Sequence, residues 1–245
     1  MKRLAQLGFI ASVALLWQLA TFGHVSPILL PPPAAVGREF LSLIQTANFW
    51  PDLQITLFEL TAAFLIAAIA GSAIGYLVSR SSYAVRVFDP LFAGMYSIPA
   101  ILLFPLYVLF FGLGPGSKIA MGATIAFFPV VLNTITGLNQ VERAYVAAAR
   151  SMGASSLQMF RSVMLPASFP VVLAGLRIGL ISAFLAILGG ETIASFSGLG
   201  HRIVSLAESM DTARMFANIV FVMLVAWLLN AAVSFAEARG RRGMA

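Results

Sequence analysis

The chain has 245 residues, of which 60% are hydrophobic and only 10% charged, with a formal net charge of +6. Soluble domains run at about half apolar and about a quarter charged, so this composition excludes a soluble enzyme and describes one polytopic membrane domain over 1–245. The absence of cysteine removes disulfides, thiol catalysis and cysteine metal sites, and the Lys and Arg lie scattered at the ends of apolar runs, which excludes a nucleic-acid face.

Met1-Lys2-Arg3 precedes an apolar run of about nineteen residues, Leu4 to Phe22, longer than a signal-peptide core and without a clean small-x-small cleavage site. It reads as a first span (1–23). Residues 24–50 read as an external segment: Pro27 and Pro31-Pro32-Pro33 forbid a helix there, and Ala34 to Ile44 can form a short surface helix. The core covers 51–237. Its first span, Asp52 to Val78, ends at Arg80 and Arg86 and carries Gly71 and Gly75 at the small-xxx-small spacing of close helix contacts. The next, from Phe88 to Phe111, contains Pro99 and Pro105 and is expected to be kinked or broken. Gly112 to Gly116 makes an external turn, and Lys118 to Leu138 returns inside. A further span runs from Pro166 to Ile193, with a second close-packing pair at Gly175 and Gly179. Ala194 to Asp211, containing Ser197-Gly198-Leu199-Gly200, is read as external. The last span is Ala213 to Phe235, followed by a cytoplasmic tail, 238–245.

This all-α arrangement has six transmembrane helices with both termini cytoplasmic. It leaves Lys2, Arg3, Arg80, Arg86, Arg143, Arg150, Arg161, Arg239, Arg241 and Arg242 inside, and only Arg38, Lys118, Arg202 and Arg214 outside. The reverse orientation would violate the positive-inside bias.

One stretch, 141–166, is neither apolar enough to span nor broken enough to be a loop. Ala144, Ala147, Ala148 and Met152 recur at helical spacing. Gly153 sits where a first helix would end in a left-handed cap, and Ser155 can cap a second, with Leu157, Phe160, Val163 and Met164 apolar behind it. Pro166 either stops that helix or begins the next at its first turn. The stretch is therefore a short amphipathic hairpin on the cytoplasmic side.

The spacing Ala147-Ala148-Ala149, three residues, Gly153, nine residues, Val163, one residue, Leu165-Pro166 resembles the EAA loop of binding-protein-dependent ABC importer permeases, E-A-A, three residues, G, nine residues, I, one residue, L-P. Ala147 stands where that signature has Glu, which removes one expected charged contact. The resemblance implies a coupling helix that docks in a groove of a cytoplasmic ATPase subunit, through Ala147, Ala148, Ala149, Arg150, Gly153, Ala154, Val163, Leu165 and Pro166. Ser97-Ile98-Pro99, Phe104-Pro105-Leu106, Phe111-Gly112-Leu113-Gly114 and Gly190-Glu191 with Ser197-Gly198-Leu199-Gly200 resemble the nitrate/sulfonate/taurine branch. That branch implies a small anionic solute (nitrate, taurine, an alkanesulfonate, bicarbonate) or a small aromatic or heterocyclic one. It also implies a second permease copy, two ATPases holding ATP and Mg, an external solute-binding protein and residence in the bacterial inner membrane.

Candidates for the translocation path come from charges and breaks inside the spans. Glu59, Arg177 and Glu191 are ionisable residues within apolar runs, where a charge must face protein, water or a partner. Arg177 either faces the path or pairs with Glu59, with Asp89 or with carbonyls freed near Pro99 and Pro105. The break itself offers Tyr96, Ser97, Pro99 and Tyr107. Gly114-Pro115-Gly116-Ser117-Lys118 lacks the spacing of a phosphate loop, so no ATP or other cofactor is expected on this chain. His24 and His201 lack metal-motif partners, and no metal or catalytic residue is expected. The competing reading is an ATP-independent secondary transporter or channel, which needs coupling carboxylates at mid-membrane; Glu59 and Glu191 keep it open.

Overall fold

The computed structural model describes residues 2–21, 26 and 28–242. His24, Pro27 and residues 243–245 lie outside the described residues, as do the side chains of 236–242 and of Lys2 and Arg3. Among the described residues every regular element is helical. The chain folds as two compact units, one from 1–56 and 191–225, the other from 57–190 and 226–245.

In chain order the helices are α1 (Lys2–Thr21), α2 (Pro33–Leu43), α3 (Phe49–Ser79), α4 (Ser82–Tyr96), α5 (Phe104–Phe111), α6 (Pro115–Asn139), α7 (Arg143–Ser151), α8 (Ser156–Ile193), α9 (Leu199–Glu208) and α10 (Thr212–Arg242). Helices α3, α6, α8 and the Thr212–Phe235 part of α10 are long and apolar enough to cross a membrane. Helices α4 and α5, joined by a 3-10 turn at Ala100–Leu103, bend by 75° and make a further crossing if they act as one broken span.

Proline placement explains most boundaries. Pro33 opens α2 at a first-turn position where its missing N–H is not needed. Pro99, with ψ 92°, ends the α4 segment, and Pro105 restarts the helix in the first turn of α5. Helix α4 begins at Ser82, not at Phe88 as the sequence suggested. The Ser81 hydroxyl accepts from the Ala84 N–H (3.4 Å) and caps it, and Pro90 is carried inside the helix. Pro166 lies in the first turn of the regular α-helical stretch Leu165–Ile193, as the second of the two sequence alternatives has it, but the helix continues into it without a break. A π turn over Phe160–Met164 widens the backbone just before it, with the Leu165 N–H reaching the Phe160 carbonyl. The wider turn gives room where the proline ring would meet the carbonyl four residues back.

In the unit built from 57–190 and 226–245, α6 is the central helix, burying Met121, Ala126, Val130, Val131 and Ile135. Both glycine pairs face it. A Cβ on Gly71 would stand 2.9 Å from the Val130 side chain, and one on Gly75 2.6 Å from Thr134. A Cβ on Gly179 would stand 2.8 Å from Val130, and Gly175 lies against Asn133 and the Pro129 carbonyl. Glycine is thus required for backbone approach on two sides of α6.

In the unit built from 1–56 and 191–225, aromatic contacts order the short elements. The Phe49 ring meets Phe221 edge-on at 4.8 Å, Phe40 lies 6.3 Å from Phe221, and Trp17 lies 5.9 Å from Phe216. The Trp17 indole N–H donates to the Pro31 carbonyl at 3.1 Å. The segment 194–211, read from sequence as an external segment with no helix assigned to it, contains the helix α9.

Candidate functional site: a helical hairpin, a broken helix and buried charges

The hairpin forms as its caps dictate. Helix α7 ends in a Schellman turn: the Gly153 N–H donates to the Arg150 carbonyl (2.9 Å) and the Ala154 N–H to Ala149 (3.0 Å). Gly153 has φ +76°, which closes this turn at no side-chain cost, and nothing lies within 4 Å of where a Cβ would be. Ser155 then starts α8 in a capping box. Its hydroxyl accepts from the Gln158 N–H (3.4 Å), and the Gln158 side chain accepts from the Ser155 N–H (2.8 Å).

The face of α7 that packs inward is centred on Ala149, with Val146 half-buried, and Met159 is buried beyond the turn. The Ala144, Ala147, Ala148 and Met152 stripe remains exposed, as do Tyr145 and Leu157; Met152 is 81% exposed. Arg150 is exposed, Ala154 and Val163 are half-buried, Leu165 is exposed and Pro166 is half-buried. The hairpin thus holds out an apolar surface on a rigid, capped frame.

At the α4–α5 break lies a cavity of about 180 Å³, bordered by Met95, Tyr96, Ile98, Ala100, Thr124 and Phe128. Of the sequence candidates only Tyr96 borders it, its ring 5.9 Å from Phe128. The Ser97 hydroxyl donates to the Gly94 carbonyl (2.6 Å), Pro99 forms the break, and Tyr107 is half-buried on α5.

The three charges inside spans are all engaged. Glu59 pairs with Lys118 at 3.8 Å, both 1% exposed, and the Lys118 ammonium donates to the Leu113 carbonyl at 3.0 Å. Lys118, read from the sequence as a basic residue at the external head of a span, is thus buried inside the protein. Arg177 donates through Nε (2.9 Å) and Nη2 (2.6 Å) to the Asn230 amide oxygen, a partner absent from the sequence reading.

Glu191 is also buried. Its Oε1 accepts the Thr56 hydroxyl (2.6 Å) and its Oε2 the Gly200 N–H (2.7 Å). The Leu199 N–H donates to Thr56 Oγ1 (2.9 Å), and the Gly198 N–H to Asp52 (3.0 Å), which also pairs with Arg202 at 3.4 Å. Three successive N–H groups at the start of α9 are thus met by carboxylates and a hydroxyl, the arrangement that a helix N-terminus favours. Gly198, at φ +107°, lies directly against the Glu191 carboxylate. Asp52 and Thr56, one turn apart on α3, were missed in the sequence; their i, i+4 spacing at the head of an apolar helix was the available signal. Among the described residues no group of His, Asp and Glu is placed to hold a metal ion.

Residues 63–242 match the family described as the inner membrane component of binding-protein-dependent transport systems. The chain belongs to this family. It is 32% identical over 219 residues to the taurine transport system permease protein TauC of Escherichia coli K12, covering 87% of this chain and 80% of that one. It is also 32% identical over 228 residues to the putative aliphatic sulfonates transport permease SsuC of Bacillus subtilis 168 (93% and 83%). Identity is 28% over 229 residues to the formylaminopyrimidine transport permease ThiX of Halalkalibacterium halodurans (94% and 91%). The fold matches a chain of the MetNI methionine ABC transporter in an inward-facing form, with a TM-score of 0.64 and 22% identity, over 78% of this chain and 94% of that one. This permease is therefore a multi-pass inner-membrane protein of an ABC importer. Permeases of this kind work with ATPase subunits and a solute-binding protein.

Proposed function

We propose that this permease spans the membrane six times, with both termini and the α7–α8 hairpin in the cytoplasm, and that two identical copies assemble on two ATPases. ATP and Mg belong to the ATPases, and the chain itself carries no catalytic group. The exposed apolar face of the hairpin is the observation that carries this reading: Tyr145, Met152 and Leu157 stand open to water on a frame fixed by a Schellman turn and a capping box. A soluble partner with a complementary groove would cover that surface. Coupling is assigned to Ala147, Ala148, Ala149, Arg150, Gly153, Ala154, Val163, Leu165 and Pro166.

The translocation path is assigned to the break, with Tyr96, Ser97, Pro99 and Tyr107, and to Arg177 on α8. Glu59 and Glu191 act as internal clasps, each within its own unit. The solute is a small sulfonate-like anion or a small heterocycle, the classes named for the relatives. ATP-driven closure of the ATPases draws the two hairpins together and opens the outer side.

The test is co-expression with an ATPase of the same system and purification in mild detergent. A complex of two permeases with two ATPases, cross-linked when Ala148→Cys meets a cysteine in the ATPase groove, is the expected result; the chain's lack of cysteine makes the label unique. A permease that purifies alone and moves solute without ATP would sink the reading.

A further inference from the structure

A second cavity, of about 310 Å³, lies where the end of α3 meets the hairpin. Arg80 and Arg150 both border it, with Tyr76, Ser79, Ser156 and Phe160. Among the described residues neither guanidinium has an ion pair or a side-chain hydrogen bond. Two like charges are thus brought to one polar cavity with no carboxylate between them, an arrangement that favours an anion.

The other walls fit the same ligand. Ser156 is the first residue of α8, whose N-terminal end carries partial positive charge. The Ser156 and Tyr76 hydroxyls can donate, whereas Ser79 has given its proton to the Tyr76 carbonyl (2.7 Å). The Tyr76 and Phe160 rings, 4.6 Å apart, with Met159 and Met164, make the remaining side apolar. Just before the cavity, α3 presents Ile69, Ile74 and Leu77 outward, and the chain changes within three residues from exposed Leu77 to exposed Arg80. An apolar helix surface followed at once by an arginine marks the level of lipid headgroups.

We propose that this cavity binds the phosphate of an anionic phospholipid headgroup, held by Arg80 and Arg150 and tying the end of α3 to the hairpin. Basic pockets on the cytoplasmic side of spans are suited to such headgroups. The proposal uses the cytoplasmic placement proposed above, and the experiment separates the two.

The purified chain is exchanged into micelles doped with phosphatidylglycerol or phosphatidylcholine, and retained lipid is counted by native mass spectrometry. Two guanidiniums at the interface predict retention of phosphatidylglycerol over phosphatidylcholine by about thirtyfold. Arg80→Gln with Arg150→Gln is expected to abolish that preference, Arg80→Lys with Arg150→Lys to keep most of it, and Arg143→Gln with Arg161→Gln to leave it unchanged. Equal retention of both lipids, or an unchanged preference in the Gln pair, overturns the proposal. Retention of inorganic phosphate without lipid, lost in the same Gln pair, overturns the lipid assignment in favour of a soluble ion. Placement is read independently, by labelling Arg80→Cys in intact cells with a membrane-impermeant maleimide. Labelling from outside refutes the cytoplasmic topology and leaves the binding result standing.

Discussion

Replacing Lys118 by Met tests whether the buried pair with Glu59 holds this permease together. The two groups lie 3.8 Å apart at 1% exposure. At an effective dielectric of about 20 their attraction is about 4 kcal/mol, and the ammonium also supports the Leu113 carbonyl at 3.0 Å. Lys118→Met removes both and leaves the Glu59 charge buried, which costs about 3–5 kcal/mol. Glu59→Leu leaves the ammonium buried without this carboxylate and costs a similar amount. The double variant restores charge balance with side chains of comparable volume and returns to within about 2 kcal/mol of wild type, the residue being the Leu113 carbonyl. The assay is a double-mutant cycle of reversible unfolding in mixed micelles, which isolates the pairwise term. Additive single effects, each below about 1 kcal/mol, would refute the reasoning and place the pair in water.

Gly75→Leu forces a side chain into a contact where even a Cβ would stand 2.6 Å from Thr134; the expected loss is about 1–3 kcal/mol by micelle unfolding. Gly94→Ala, with nothing within 4 Å, should be neutral or slightly stabilising in the same assay. At Gly153 the constraint is torsional, since a Cβ there meets no atom. Gly153→Asn should therefore keep ATP-coupled uptake, whereas Gly153→Val should lose it with the permease still in the membrane; equal uptake by both would remove the turn from the mechanism. Glu191→Ala leaves the Gly200 N–H without its carboxylate acceptor and the Thr56 hydroxyl with only the Asp52 carbonyl at 3.1 Å, for a loss of about 1–3 kcal/mol. Protease should then cut near 194–200, and uncleaved protein would count against the clasp.

The sequence showed its long-range order well where a single residue type has one physical use. Gly153 and Ser155 placed the hairpin's turn because left-handed caps and N-caps are local devices. Gly71, Gly75, Gly175 and Gly179 announced close helix contacts because bare backbone has little other purpose in a span. Pairing was not legible in the same way. Lys118 was read only as the basic head of an apolar run, and only the fold brings Glu59 to it. Asn230, a neutral residue in an apolar helix, gave no hint that it receives Arg177. The π turn before Pro166 escaped because proline rules describe regular α-helix, and a wider turn satisfies them differently. Helix α9 was hidden by its glycine-rich start, since its first N–H groups find their acceptors on α3 and at Glu191, far away in sequence.

Ala147 bears on how the hairpin could hold its partner. The EAA signature has a carboxylate there; this permease has an exposed methyl group beside Ala148 and Met152. A charged contact is directional and would help set the angle of docking, whereas an apolar one is not. With the carboxylate gone, the angle must come from the backbone frame, which is the turn closed by Gly153 and the box closed by Ser155 and Gln158. The frame is rigid for local reasons: each of its hydrogen bonds lies within six residues of sequence. Coupling in this permease should therefore be more sensitive to φ at Gly153 than to any single charge on α7.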